Sequence, residues 1–281
     1  MNPLPFTDRT GADAFLQALP AYGEGHWPIG AAALALACRD RPRVDLARYH
    51  RHLDALAAEV AQTASGARSA EERRAALTAV IGDRYGYEGD TLTYDDLQNA
   101  NLMRVIDRRK GLPVALGILY LHAARAQGWD AAGLAFPGHF LLLLADGGER
   151  LILDPFERGR ARGAAELRDL LKAIAGNAAE LEPAHYAAIG DRDVLLRLQN
   201  NLKLRLIESQ SLAPALAVIE GMLLFAPDHG GLWREAGLVH AELGNLRAAV
   251  GALERSLTLA GEEGARRRTA SLLQRLKARL N

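Results

Sequence analysis

The stretch from Arg108 to Phe156 sets the terms for any fold this chain can adopt. Ala115 to Gln127 carries apolar side chains nearly all round, which makes it a buried helix rather than a surface one. Gly111-Leu112-Pro113 opens that helix, because a proline loses nothing in a first turn whose N–H groups have no partner. Gly128 stops it. Two short apolar runs follow, His139–Leu144 and Arg150–Asp154, around the hairpin signal Asp146-Gly147-Gly148. The class expected is therefore α+β and mostly helical, with a small antiparallel sheet packed on the Pro113–Gln127 helix.

The hairpin also carries chemistry. With its turn centred on Asp146–Gly148, His139 and Asp154 are expected to face each other across the ladder. An imidazole held by a carboxylate is the supporting half of a nucleophilic triad, and the nucleophile is missing. From Tyr94 to Glu208 there is no Ser, Thr or Cys, and the only cysteine, Cys38, lies in the apolar segment Ala31–Arg39. Two readings of the pair stay open on the residues alone: a pocket group, or a structural hydrogen-bonded pair closing the hairpin. Chemistry would return if His139 served as a general base, if a metal were held with His122 or His185 as third ligand, or if Lys110 or Tyr120 acted as nucleophile. No ligand spacing supports the metal, and no cofactor is expected.

The arrangement resembles the transglutaminase-like, papain-type core. Gly111-Leu112-Pro113 falls where such enzymes carry Gly-x-Cys, so Pro113 stands near the nucleophile's place. Pro137-Gly138-His139-Phe140 falls on the histidine motif and Leu153-Asp154-Pro155-Phe156 on the aspartate motif. The fuller pattern, from Asn101 through Arg109–Pro113 to those two motifs, is similar to a bacterial family of invasion-regulator-like proteins. That family joins a degenerate transglutaminase-like core to tetratricopeptide repeats. The resemblance covers roughly Leu92 to Leu259. It implies a vestigial triad of Pro113, His139 and Asp154, in a pocket lined by Asn101, Arg109, Tyr120, Pro137 and Gly138. It also implies a regulatory or interaction role with no established chemistry.

Four segments follow from the pattern: helices over 1–90, the core over 91–176, a linker over 177–192 and repeats over 193–281. In the first, Leu46, Tyr49, Leu53, Leu56 and Val60 recur at three and four along Asp45–Gln62. His50 and His52 on that helix read as exposed polar residues. Ser69-Ala70-Glu71-Glu72 is a capping box that starts a helix at Ala70. A further helix, capped at Asp95 or its neighbour, is expected to run to Lys110 with Asn101 on or near its inner face. There Asn101 either bonds the next loop or lines the pocket. The stretch 177–192 around Pro183 is the linker candidate.

A shift of 34 residues aligns Gln199 with Trp233, Leu202 with Ala236, Ala215 with Ala249 and Ile219 with Leu253. Trp233, Gly237, Ala249 and Leu253 match the tetratricopeptide pattern as structural positions of one unit. Ala265–Leu280 is expected to cap the stack with a polar outer face.

Charge is balanced, 34 basic against 34 acidic residues, so a polyanion such as nucleic acid is not favoured as partner. The runs Arg108–Lys110 and Arg266–Arg268 read as solvated helix faces. With one cysteine, no apolar leader and no 18-residue apolar run, the expectation is a cytoplasmic protein off the membrane. The sequence therefore points first to a non-catalytic module that binds a protein or peptide. The alternative is an atypical hydrolase or deamidase using His139 and Asp154. The oligomeric state is not encoded in any of these features.

Overall fold

The computed structural model describes residues 5–23, 25–259 and 263–280. Its framework divides into two units, Met1–Phe15 with Tyr22–Leu198, and Leu16–Ala21 with Gln199–Asn281. The chain opens with helices α1 (Arg9–Ala18), α2 (Ile29–Asp40), α3 (Ala47–Thr63) and α4 (Ala70–Leu77), the last widening into a π-helical segment, Thr78–Arg84. Next come β1 (Glu88–Gly89), α5 (Leu102–Arg108), β2 (Lys110–Gly111) and α6 (Pro113–Ala126). Strands β3 (Asp130–Leu134), β4 (Leu142–Asp146), β5 (Glu149–Asp154) and β6 (Arg160–Ala161) lead to α7 (Ala164–Ala175), β7 (Ala188–Ile189) and α8 (Asp191–Glu208).

The core of the first unit is α6. Leu116, Ile118, Leu119 and Leu121 are fully buried, and each such side chain contributes about 1.5–3 kcal/mol. The helix is covered by α2 and α3 on one side and by β3 and the turn after β5 on the other. Its all-round apolar surface follows from having neighbours on every side. The α3 stripe is buried as its spacing predicts, from Leu46 through Val60. Ser69 caps α4 by accepting a hydrogen bond from the Glu72 N–H at 3.2 Å.

The main sheet has the order β6-β5-β4-β3-β7 and is antiparallel throughout. β7 lies inside the stretch expected to be a linker. Gly133 pairs with Ile189 and Leu134 with Ala188, so that stretch supplies an edge strand instead. Its two-residue length and flanking Gly190 hide it from any periodicity argument.

Two further expectations change. The helix expected from Asp95 to Lys110 is a 3-10 turn, Leu97–Ala100, followed by α5, with the break at Asn101. An asparagine favours a cap over a helix interior because its side chain competes for backbone N–H groups. Arg108, read as solvated, instead pairs with Asp90, which is 2% exposed, at 2.8 Å.

In the second unit, α9 (Leu212–Phe225), α10 (Gly230–Glu242), α11 (Leu246–Leu259) and α12 (Glu263–Leu280) follow one another. α9 and α11 begin at 212 and 246 and end at 225 and 259, so the helices themselves repeat at the 34-residue shift. Gly237 lets α10 and α11 approach closely, since a Cβ there would stand 2.7 Å from Leu253 Cγ. Ala249 and Leu253 are fully buried and pack with Leu273 and Leu276 of α12. Trp233 is half-buried, and its indole N–H donates to the Pro227 carbonyl at 2.9 Å.

Candidate functional site

The Pro137–Phe140 motif folds around its glycine. Gly138 has φ +68°, and a Cβ on it would lie 2.4 Å from Ile174 Cγ2, so both the backbone and the space require glycine. The turn sends Phe140 inward between Gly117 of α6 and Gly133 of β3, where added Cβ atoms would meet its ring at 2.4 and 2.9 Å. Arg197 of α8 fixes the same turn by donating to the carbonyls of Phe136, at 2.7 Å, and His139.

The Leu153–Phe156 motif supplies the other side. Asp154 ends β5 and caps the following 3-10 turn, Pro155–Glu157, its Oδ1 accepting the Phe156 N–H at 3.0 Å. The Phe156 ring lies on Gly89, whose added Cβ would be 2.4 Å away. Its edge-to-face neighbours are His139, with centroids 6.0 Å apart, and Tyr94, 5.8 Å apart.

His139 Nε2 stands 2.9 Å from Asp154 Oδ1. With the carboxylate ionised, that bond makes Nε2 the protonated nitrogen and leaves Nδ1 as the free lone pair. Nδ1 has no hydrogen-bond partner among the described residues. Asp154 is 1% exposed, and its other oxygen accepts twice from Arg162, Nε at 3.2 Å and an Nη at 2.8 Å. Burial alone would raise this carboxyl, but the hydrogen bonds and charges of His139 and Arg162 outweigh it and hold it below the usual carboxylate range.

Pro113 is the first residue of α6, after Leu112 in an extended conformation. Gly117 and Tyr120 follow on the same face, four and seven residues on. That face runs from Pro113 past Phe140 and Pro155, which meet Gly117, to Gly159, which meets Tyr120. The Tyr120 hydroxyl is buried without a hydrogen-bond partner among the described residues, and burial pushes its pKa up, which opposes use as a nucleophile.

The other named residues lie elsewhere. Asn101 caps α5 by accepting the N–H groups of Met103 and Arg104, while its amide donates to Asp40 at 3.1 Å and Ala37 O at 3.4 Å. Its side-chain hydrogen bonds all run to α2 and to the first turn of α5, none of them to His139 or Asp154. Arg109 ends α5 at φ 61° and donates to His52 and the Tyr87 hydroxyl, with its guanidinium over the Tyr85 and Tyr87 rings. His52 is thereby half-buried rather than exposed, and burial with the Arg109 charge lowers its pKa to about 4. His122 bonds the Leu53 carbonyl, and His185 accepts the Glu182 N–H. Lys110 reaches Glu88 at 3.6 Å. Cys38 is buried in α2, where burial and Asp13 raise its thiol. No cluster of three His, Cys, Asp or Glu side chains suited to a metal occurs among the described residues. None of their helices is long and apolar enough to cross a membrane.

Sequence reasoning missed Arg162, Arg197, Tyr94 and Phe156 as parts of the site. Phe156 stood in a quoted motif. Arg162 sat in an Arg- and Gly-rich loop with no pattern to assign it a partner.

Residues 47–200 match the transglutaminase-like superfamily, and residues 202–274 match a tetratricopeptide repeat family. A UPF0162 protein of Vibrio cholerae is 32% identical over 212 residues, 75% of this chain and 78% of that one. The chain belongs to the transglutaminase-like UPF0162 family. A second UPF0162 protein, of Xylella fastidiosa, is 30% identical over 195 residues, 66% of this chain and 68% of its own length. Protein SirB1 of Salmonella typhimurium is 27% identical over 176 residues, 62% of this chain and 65% of that protein. The UPF0162 chain described here thus joins a transglutaminase-like part to tetratricopeptide repeats, the order expected from its motifs.

Proposed function

We propose that this is a non-catalytic transglutaminase-like protein that binds a protein or peptide through the cleft at His139 and its repeat surface. The observation that carries the reading is Pro113. It opens α6 at the position where the resemblance to the transglutaminase-like core puts the nucleophile, and a proline ring offers neither thiol nor hydroxyl. Asp154 adds support. Its second oxygen is taken up by Arg162 and its first also accepts the Phe156 N–H, so the carboxylate ties together the loop after β5. The half-exposed aromatic rim at Tyr94 and Phe156 suits a polypeptide contact. Balanced charge fits a protein partner in the cytoplasm better than nucleic acid or a membrane surface.

A second reading rests on the same histidine. The 2.9 Å bond to Asp154 leaves Nδ1 as a free base, which a hydrolase or deamidase acting through water could use. One experiment separates the two. Wild type and His139→Ala are assayed for hydrolysis, deamidation and transamidation of glutamine-containing peptides, and both are used to select binders from a displayed peptide library. Binding expected for wild type should be lost in Tyr94→Ala or in Leu204→Ala, which removes an exposed leucine on the repeat part of α8, with no turnover in either protein. Turnover in wild type that vanishes in a stably folded His139→Ala protein would establish the enzyme instead.

A further inference from the structure

The sheet face away from α6 is only partly covered. Leu143 pairs with Ile152 and Ala145 with Arg150, so Ile152 and Arg150, two apart on β5, share the face that carries Leu143. α7 covers one end, where Leu167 and Leu171 pack with Leu134, Phe136, Leu141 and Leu143. Beyond α7 the face opens into a cavity of about 700 Å³. Leu134, Leu143 and Ile152 form its floor, and Leu181 and Tyr186 belong to its wall. This volume is typical of a small-molecule site, for which about 300–1,000 Å³ is usual.

The charges and hydrogen-bonding groups narrow what can enter. Arg150 is the one charged side chain of the lining, and it has no ion-pair or hydrogen-bond partner among the described residues. Tyr186 is the other polar side chain there, and its hydroxyl is likewise without a partner among the described residues. The floor offers no backbone groups to a ligand, because β4 is paired on one side with β3 and on the other with β5. A peptide lying on this floor would bury amide groups without partners, which is costly. A hydrocarbon chain has no such groups to satisfy. A single anionic head would complement the exposed Arg150.

We propose that this cavity is a binding site for a small amphipathic carboxylate, an alkyl chain on the sheet face with its carboxylate at Arg150. The site is separate from the His139 cleft and does not depend on how that cleft is read. The Arg150 guanidinium supplies two parallel N–H donors to the carboxylate, and the alkyl chain covers the half-buried Ile152, Leu181 and Tyr186.

The test is calorimetric titration of the full chain with decanoate, with decanol as the uncharged comparator. Decanoate is expected to bind saturably, one per chain, with decanol weaker by roughly tenfold or more for want of a charged hydrogen bond. Arg150→Ala should remove that difference while leaving the thermal melt unchanged, since Arg150 is exposed. Ala188→Trp, which fills the cavity from an exposed lining position, should weaken both ligands. The proposal is overturned if decanoate shows no saturable binding to wild type below its aggregation concentration. It is equally overturned if Arg150→Ala binds decanoate as tightly as wild type does.

Discussion

His139 and Asp154 are joined by a 2.9 Å hydrogen bond although they do not oppose each other on the hairpin ladder. The register pairs Leu142 with Leu153, so the residue in line with Asp154 is Leu141, and His139 lies beyond the end of β4. The bond exists because the Gly138 turn and the Arg197 clamp bring the imidazole back over the strand end. The pair is therefore a product of a loop conformation, and its strength depends on what fixes that loop.

Asp154 should make stability pH-dependent. Its folded pKa lies below the unfolded value of about 4, so its stabilisation is complete above about pH 4 and is lost as the pH falls through the folded value. Asp154→Asn is expected to cost about 3 kcal/mol at pH 7, because it strips a buried carboxylate from His139 and Arg162. Urea unfolding at pH 7 and pH 3 checks this. The gap between variant and wild type should narrow at the lower pH, and an equal gap at both would refute the linkage.

Pro113→Cys should create a reactive thiol. A cysteine at a helix start has a depressed pKa, and an imidazole within reach depresses it further. Position 113 is buried, so the rate is read against the double variant: Pro113→Cys is expected to label with iodoacetamide at pH 7 about tenfold faster than Pro113→Cys/His139→Ala, the thiolate gain from one unit of pKa depression. The buried, raised Cys38 contributes little background. The rate should fall back in Pro113→Cys/His139→Ala. If both proteins label alike, Pro113 does not stand at the position facing His139.

Asn101→Ala should be a stability variant and nothing more. Losing the cap of α5 costs about 1–2 kcal/mol. Denaturant unfolding gives the cost, and the labelling rate of Pro113→Cys should be the same with and without the second change. A changed rate would return Asn101 to the pocket.

Gly117→Ala tests how tightly α6 seats Phe140. The new methyl would fall 2.4 Å from a Phe140 ring atom, with Pro155 Cγ 3.5 Å away, so the ring or the helix must shift. A loss of about 1–3 kcal/mol is expected, with altered near-ultraviolet circular dichroism from the displaced aromatic cluster. No change in the unfolding midpoint would mean the contact is slack.

Much of this molecule was legible before its structure. The α3 stripe, the apolar α6, the hairpin turn and the 34-residue shift are all local or periodic signals, and each maps onto an element within a residue or two. Composition could not reveal β7, because two residues of edge strand have no period to detect. Nor could it separate Asn101 as a cap from Asn101 as a pocket residue, since one turn of sequence decides between a helix interior and its first N–H groups. His52 read as exposed because its partners, Tyr87 and Arg109, are 35 and 57 residues away.

The sequence by itself determined the long periodic elements and the stretch from Tyr94 to Glu208 without Ser, Thr or Cys, because hydrophobic period, turn chemistry and the absence of a residue type need only local information. The tertiary structure alone decided that Asp154 answers to Arg162 as well as His139, that Arg197 holds the turn, and that the outer sheet face stays partly open. Those are contacts between segments far apart in the chain. Their energies depend on distance and burial, which no reading of residue order supplies.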